Sequence, residues 1–333
     1  MIKILIKYFL KFFSFTFHFG PLIAIKLVFF MFLTLIKPLY YCNAYKHRII
    51  MGFLKKKLVK TINGFKDEQY KVDISLAENY QVWVLWWQGE VNMPQNVRIC
   101  YNTLKYYCNG HKVNLLTKDN YKNFVSLPDY ILKKAEKKAI SITHLSDILR
   151  ISLLFEHGGL WLDATVLLSA PLPVLPPICS HLGFWTPKDD GNILEVCSGA
   201  RNWIVREGRW LTFCFYCSKH NILAEFVRAM FFDYQKKYTL FLDYYLFDYF
   251  IAIAYDTIKY VRIMIDSVPE NNPKVHELKE RLNLNSEYNK IAFDELCRYT
   301  IFHKLNWSEN FREYTEDGKL TYFGYILSNI TIQ

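Results

Sequence analysis

One carboxylate stands inside an otherwise apolar stretch of the chain. The segment HGGLWLDATVLLS, His157 to Ser169, contains a single acidic residue, Asp163. Its LWLD portion predicts a buried strand that ends at Asp163, and ligands of helix-flanked sheets bind in the crevice at such strand ends. An aspartate there can also cap a turn through its own side chain. Asp163 is therefore a candidate ligand-binding residue, with turn capping as the alternative.

Two further charged residues, Asp147 and Arg150, precede this strand in the segment SITHLSDILRISLLFEHGG. Its apolar spacing predicts a helix that stops at Gly158 and Gly159, immediately before the LWLD strand. Residues three apart share one helix face, so Asp147 and Arg150 point the same way. An ordinary surface ion pair is the alternative for these two.

The elements upstream predict the sheet to which this strand belongs. Strand and helix patterns alternate along the chain, which favours an α/β fold with a mostly parallel, helix-flanked sheet. The expected elements are a strand at 82–85, a helix after Pro94 that closes at Gly110, a strand at 112–117, a helical piece at 119–125 and a helix from Pro128 to about 139.

Charge is distributed very unevenly. The chain has 333 residues, 52% of them hydrophobic, and its formal net charge is +10. Residues 1–60 contain eleven Lys or Arg and no Asp or Glu, which leaves 30 basic and 31 acidic residues in the rest. Since nucleic-acid binding depends on phosphate neutralisation, a nearly neutral body argues against a nucleic-acid partner.

The basic N-terminus is also strongly apolar. Lys3, Lys7 and Lys11 recur every four residues among Ile, Leu and Phe, which is an amphipathic helical pattern. The apolar run Phe19–Ile36 follows, interrupted by Pro21 and by a lysine at position 26. We expect an interfacial anchor, peripheral or monotopic, on the cytoplasmic face of the cell membrane. A spanning helix, a signal peptide and a buried core helix are the alternatives.

Three units are predicted from these patterns: a membrane-associating segment at 1–60, a polar connector at 61–79 and a body at 80–333. The eight cysteines lack the density of a disulfide scaffold, so reduced thiols are expected. Cys214 and Cys217, with His220, are spaced like half of a zinc site, but no good second ligand pair exists, and small buried side chains are the favoured interpretation.

Several segments together resemble a known family. Ser146-Asp147-Ile-Leu-Arg150, followed by Gly-Gly-Leu-Trp-Leu-Asp163-Ala-Thr165, resembles the S-D-x-x-R and G-G-x-[YW]-x-D-x-D pattern of glycosyltransferase family 32 and its capsular polysaccharide synthesis relatives. The stretches WVLWWQGEVNMPQNVRIC, DYYLFDYF and HKLNW, which begin at Trp83, Asp243 and His303, resemble further blocks of the capsular branch. The likeness covers about residues 80–310 in order.

The resemblance implies a GT-A type fold, a nucleotide-sugar donor with a UDP-sugar favoured, and sugar transfer with retention of anomeric configuration. The acceptor would be a saccharide or lipid-linked saccharide. By position, Trp86 matches the aromatic residue that stacks on the donor base. Asp147 and Arg150 match residues that hydrogen-bond the donor ribose and sugar, and Asp163 matches the first carboxylate of D-x-D.

One departure concerns the metal, Mn²⁺ or Mg²⁺, that the resemblance implies. Thr165 replaces the second Asp, and a hydroxyl is a poor ligand for a hard cation. Asp163, Thr165 and His303 are the candidate metal ligands. His303 and Lys304 could instead bind the donor and neutralise the leaving diphosphate, unless they form an exposed loop pair. Asp243 is a candidate catalytic partner of the acceptor, with a helix cap or buried ion pair as the alternative.

Three functions follow as hypotheses. The first is a membrane-associated glycosyltransferase that extends a capsular or surface polysaccharide. The second is a catalytically silent saccharide- or nucleotide-binding partner in capsule assembly, motivated by Thr165. The third is a membrane-surface scaffold, which is favoured only if Trp86, Asp147, Arg150 and Asp163 fail to converge.

Overall fold

Six strands and thirteen helices are formed within the part of the chain that the computed structural model describes, residues 2–36, 40–65, 79–174, 211–268, 271–272 and 274–331. The strands are β1 (Val82–Leu85), β2 (Val113–Leu116), β3 (Gly159–Asp163), β4 (Val166–Leu168), β5 (Cys214–Cys217) and β6 (Phe302–Lys304).

The helices alternate with strands only in the first half of the body. They are α1 (Ile2–Phe19), α2 (Pro21–Ile36), α3 (Tyr40–Lys57), α4 (Val59–Asn63), α5 (Gln95–Tyr106), α6 (Asp129–Glu136), α7 (Ile142–His157), α8 (Ile222–Lys237), α9 (Leu246–Thr257), α10 (Lys259–Ser267), α11 (Glu277–Asn283), α12 (Lys290–Tyr299) and α13 (Tyr322–Thr331). Short 3₁₀ turns lie at Glu90–Asn92 and Tyr121–Asn123.

The main sheet has the strand order β2-β1-β3-β5. β1 pairs in parallel with β2 on one side and with β3 on the other, and β5 joins the edge of β3 antiparallel. The predicted α/β class is confirmed, and the strands and helices expected between residues 82 and 163 form. The helix after Pro94 ends at Tyr106 with Tyr107 as its C-cap, so the expectation that it closes at Gly110 is wrong. The narrower GT-A assignment stays a prediction. β2 lies on one side of β1 and β3 on the other, so the strand order reverses at β1. The carboxyl ends of β1 and β3 therefore lie side by side at a topological switch point.

Side chains alternate between two cores across this sheet. Trp83, Trp161 and Phe215 enter the larger core, which the helices α7 to α9 also line, while Leu160 and Cys214 face a second apolar cluster. Burial on both faces explains why β1 and β3 appear in the sequence as continuous apolar runs.

The two cysteines of the sheet have a structural position. Cys214 and Cys217 are fully buried in β5. Within the described residues, no group of three or more His, Cys, Asp or Glu side chains converges to hold a metal ion. The burial of both side chains agrees with the favoured interpretation of these cysteines as small buried side chains.

A second, two-stranded sheet was not expected from the sequence. β4 and β6 pair antiparallel, with Val166 opposite Lys304 and Leu167 opposite His303. β4 follows β3 after a two-residue turn, so this pairing brings the C-terminal region of the chain to the carboxyl edge of the main sheet.

The N-terminal helices pack on the body. Phe15 and Phe19 of α1 and Leu27 of α2 join the larger core, and Phe19 meets Tyr238 with 5.3 Å between ring centroids. The chain turns between α1 and α2 at Gly20, whose φ is +91°. No helix among the described residues is long and apolar enough to cross a membrane. Residues 66–78, most of the predicted connector, lie outside the described part of the chain.

The turn from α7 into β3 positions the central residues of the cleft described below. Ser141 caps the start of α7 by accepting a hydrogen bond from the His144 backbone N–H. The helix ends at Gly158, and Gly159 begins β3 with φ +108°. A Cβ atom at Gly159 would lie 2.3 Å from the Gln81 carbonyl oxygen, so the close pairing of β3 with β1 requires glycine there.

Replacing Gly159 by alanine should therefore destabilise the fold by about 3 kcal/mol or more, because backbone strain and a steric clash add. Gly110→Ala is the matched control, since Gly110 also has positive φ (+81°) but has no atom within 4 Å of its added Cβ. It should cost only about 1–2 kcal/mol. Urea unfolding of both variants measures the difference, and equal losses would contradict the steric explanation.

Candidate functional site

A cleft of about 1090 Å³ opens at the carboxyl ends of β1 and β3. Leu85, the last residue of β1, is opposite Asp163, the last residue of β3. Their strand ends place Trp86 and Asp163 on the cleft wall, and α7 contributes Asp147 and Arg150. Helix α9 with its preceding turn, α11 and β6 complete the wall with Tyr244, Phe247, His276, Lys279 and Lys304 among others.

Asp163 makes three polar contacts in this cleft. Its Oδ1 accepts hydrogen bonds from Arg150 Nη2 at 3.1 Å and from the Trp161 indole N–H at 3.0 Å. Its Oδ2 lies 3.6 Å from Lys304 Nζ. The side chain is 30% exposed, so the carboxylate is fixed in orientation yet reachable from the cleft.

Arg150 is the buried cation that holds this arrangement. Its side chain is only 6% exposed, and Nη1 lies 3.4 Å from Asp147 Oδ1 while Nη2 contacts Asp163. The guanidinium carbon lies 5.0 Å from the Trp161 ring centroid and 5.4 Å from that of Phe247. A planar, weakly hydrated guanidinium suits such an aromatic setting, where a lysine would lose both the stacking and the second hydrogen bond.

Asp147 carries the consequence of this burial. Desolvation raises the pKa of its carboxyl from 3.8 to about 7, and the neighbouring Asp248 and Asp163 carboxylates act in the same direction. The Arg150 charge lowers the pKa but does not cancel the cost of burial. Asp147 therefore titrates near neutrality.

Lys304 reaches the cleft from β6. Its Nζ donates a short hydrogen bond to Thr165 Oγ1 and a longer one, 3.4 Å, to the Leu305 carbonyl oxygen. The same ammonium lies 5.6 Å from the Phe213 ring centroid. The hydroxyl that replaces the second carboxylate of the expected D-x-D is thus occupied by a lysine.

Two predicted site residues do not enter the cleft. His303 alternates with Lys304 along β6 and therefore faces the opposite side, where it is fully buried, with Nε2 3.0 Å from Ser169 Oγ. Burial lowers the pKa of its imidazole to about 3. A role for His303 in binding a donor or a metal is not supported by this position.

Asp243 likewise lies outside the cleft lining, although its neighbour Tyr244 is part of it. Its Oδ2 pairs with Lys46 Nζ of α3 at 3.0 Å, and its Oδ1 accepts the Tyr245 backbone N–H at 3.0 Å. The buried ion pair considered as the alternative is what forms, so a catalytic role for Asp243 lacks geometric support.

Trp86, the residue predicted to stack on a donor base, lines the cleft. It is half-buried at the cleft wall, and its indole N–H donates to the Asn92 carbonyl oxygen at 3.2 Å. The ring also packs against the small apolar cluster of Met93, Val97 and Tyr101. Its orientation is therefore set by the protein before any ligand binds.

Several residues that line the cleft were not predicted from the sequence. Trp161 and Phe247 stack on Arg150, while His276 and Lys279 come from the region of α11 and Asp248 from α9. Trp161 belongs to the segment Gly-Gly-Leu-Trp-Leu-Asp163, but its contact with Asp163 depends on a side-chain rotamer, which the sequence does not specify. For His276 and Lys279 no local signal existed, because their helix is brought in by tertiary packing alone.

The predicted metal ligands do not fit a divalent cation. His303 faces away, Lys304 donates to Thr165, and Oδ1 of Asp163 already accepts two hydrogen bonds. Mg²⁺ and Mn²⁺ prefer several oxygen ligands in near-octahedral arrangement. The expectation of Mn²⁺ or Mg²⁺ stays a prediction that these residues do not favour.

Fold and cleft together define an α/β protein with a charged cleft at a sheet switch point. Residues 35–326, most of the chain, match the family model described as capsular polysaccharide synthesis protein. The chain belongs to this family, which associates it with capsule biosynthesis. No curated protein and no solved structure matches the chain significantly. The relation to glycosyltransferase family 32 stays a prediction.

The raised pKa of Asp147 predicts a specific dependence of stability on pH. Between about pH 4 and 7 the folded state holds a proton that the unfolded state has lost, so stability falls as pH rises, by up to about 1.4 kcal/mol per unit. Above pH 7 the folded state bears the full free-energy cost of a buried, ionised Asp147. Asp147→Asn removes this contribution while keeping a polar side chain of similar shape beside Arg150.

Urea unfolding of wild type and Asp147→Asn at pH 5, 6, 7 and 8 checks this. The stability of the variant relative to wild type should rise from pH 5 to 7 and then level off. A difference that stays constant from pH 5 to 8 would show that Asp147 remains ionised in the folded protein.

Proposed function

We propose that this protein is a glycosyltransferase that moves a sugar from a nucleoside diphosphate sugar, with a UDP-sugar favoured, to a growing, lipid-linked capsular or surface polysaccharide. The observation that carries the proposal is the convergence of Trp86, Asp147, Arg150, Asp163 and Lys304 on one cleft. Family membership supports the polysaccharide context. A membrane-surface scaffold was favoured only if these residues failed to converge, so their convergence argues against it.

The cleft lining offers three kinds of chemistry. Trp86 supplies an aromatic face for a base, and the carboxylates of Asp147 and Asp163 can accept hydrogen bonds from sugar hydroxyls. Lys304 supplies positive charge for phosphates. A nucleotide sugar has these three parts in one molecule, which is why it suits this cleft better than a plain saccharide.

Transfer needs no covalent protein intermediate. Because retention is expected, the acceptor hydroxyl approaches the anomeric carbon from the same face that the diphosphate leaves. The bond from that carbon to the phosphate oxygen breaks with both electrons on the diphosphate, the acceptor oxygen bonds to the carbon, and the hydroxyl proton passes to the departing diphosphate. Lys304, placed near that oxygen, stabilises the negative charge that develops on the diphosphate. At an effective dielectric of about 20, a unit charge about 4 Å away contributes roughly 4 kcal/mol, or about a thousandfold in rate if it acts only in the transition state.

Release of nucleoside diphosphate from a panel of nucleotide sugars, with lipid-linked saccharide acceptors present, tests this function. Wild type should turn over one donor, and Asp163→Asn should reduce kcat by at least about a hundredfold, since it removes the charge that orients Arg150 and faces the donor. Asp294→Asn, at an exposed pair with Lys290 on α12, is the matched control and should retain full activity.

Anomeric configuration of the product, read by NMR, should show retention. Nucleotide binding without turnover on the whole panel would favour the second hypothesis, a silent binding partner in capsule assembly.

A membrane surface is the proposed site of action, with the protein peripheral or monotopic on the cytoplasmic face. Helices α1 and α2 each leave one apolar stripe exposed while the opposite stripe enters the core. The exposed side chains are Ile6, Phe9, Leu10, Phe13 and Phe17 in α1, and Leu22, Ile25, Phe29 and Phe32 in α2. Apolar stripes of this size, within a segment whose only charges are positive, suit the interface of an anionic bilayer.

Sedimentation with phosphatidylcholine vesicles that contain phosphatidylglycerol measures this binding. Phe13→Ser with Phe17→Ser should weaken partitioning at least about tenfold, because two exposed rings, 54% and 87% accessible, leave the bilayer. Leu284→Ser with Ile291→Ser removes equally exposed side chains, 78% and 81% accessible, from the C-terminal half and should have no effect. Equal partitioning of both double variants would exclude α1 as the membrane contact.

A further inference from the structure

Lys304 is held in place as a fixed positive charge at the edge of the main sheet. The β4–β6 pairing sets its backbone, and the ammonium is hydrogen-bonded to Thr165 and packed over the Phe213 ring. Its side chain is 21% exposed, which keeps it in contact with the cleft. An ammonium therefore stands beside the two residues, Asp163 and Thr165, that were expected to hold a metal.

Asp163 does not fully neutralise the positive charge of Lys304. Arg150 compensates that carboxylate at 3.1 Å through Oδ1, whereas Lys304 lies at the longer distance of 3.6 Å from Oδ2. Thr165 accepts a hydrogen bond from Lys304 without neutralising it. The ammonium can therefore attract a second anion that enters the cleft.

Two more basic side chains line the same cleft. The ring centroids of His276 and Phe213 are 6.2 Å apart, and the Lys304 ammonium lies 5.6 Å from the same Phe213 ring. Lys279 follows His276 by three residues and also lines the cleft, so it projects from the same face of that segment. Lys304, His276 and Lys279 thus give the cleft three side chains that can donate hydrogen bonds to phosphate oxygens.

We propose that Lys304 is the resident cation of this cleft, and that a nucleoside diphosphate binds with its phosphates against Lys304, His276 and Lys279 without a divalent metal. The proposal rests on the proposed function and specifies how the donor is held. A metal beside Asp163 would have to displace Lys304 from Thr165 or bind next to its charge. In a D-x-D site, the second aspartate helps to bind a metal that neutralises the diphosphate. Here the ammonium of Lys304 neutralises the diphosphate instead.

Calorimetric titration of nucleoside diphosphates tests the proposal. The probe is whichever of UDP, GDP, ADP and CDP binds the wild type most tightly, measured once in EDTA and once in MnCl₂. The Kd should differ by less than about threefold between the two buffers. Lys304→Met keeps the length of the side chain and should weaken binding at least about twentyfold in EDTA, because a unit charge near the phosphates is lost.

Two variants serve as controls. Lys304→Arg retains the charge and should stay within about fivefold of wild type, which separates loss of charge from loss of packing. Lys290→Met removes an exposed lysine, 73% accessible, on α12 and should leave Kd unchanged. Thermal unfolding of each variant confirms that it is folded before titration.

Three results would overturn the proposal. If Mn²⁺ tightens binding tenfold or more, and Asp163→Asn abolishes that gain, a metal binds at Asp163 and the transferase function still stands. If folded Lys304→Met binds as tightly as wild type in EDTA, Lys304 does not contact the phosphates. If no nucleoside diphosphate binds in either buffer, the proposed function fails together with this inference.

Discussion

The cleft depends on one buried guanidinium, that of Arg150. A charge with so little solvent contact is tolerated only when opposite charges and hydrogen bonds compensate for lost hydration. Asp147 and Asp163 provide them from α7 and β3, and Phe247 closes over the cation from α9. Removing one partner of such a pair costs about 3–5 kcal/mol. The relative positions of helix, strand and cleft wall are therefore fixed by electrostatics as well as by apolar packing.

Patterns local in sequence predicted this part of the protein well. The heptad-like apolar stripe of α7, the two glycines and the LWLD run are signals that need no knowledge of distant residues. They placed Asp147, Arg150 and Asp163 on consecutive elements that meet at a sheet edge. The parallel topology also followed, since a helix between two strands favours a crossover connection.

Contacts between distant parts of the chain were beyond such patterns. β6 joins β4 from more than 130 residues away, and only this pairing decides that Lys304 faces the cleft while His303 faces the core. Asp243 looked catalytic among its aromatic neighbours because its partner, Lys46, lies 197 positions upstream. In each case the residue type was chemically suggestive, but its orientation depended on a strand or helix that the local sequence does not specify.

The pairing of Lys46 with Asp243 has a mechanical consequence. A domain joined to its anchor by a flexible tether samples many heights and orientations above a bilayer. Here α3 is fastened to the body through this ion pair and through His47, whose Nδ1 lies 2.5 Å from the Tyr249 hydroxyl. Helix α3 and the body that carries the cleft are therefore packed as one unit. For a protein bound to a membrane through α1 and α2, this packing would keep the cleft at a constant height above the bilayer. The fold would then fix the distance from the bilayer at which the reacting end of the acceptor must lie.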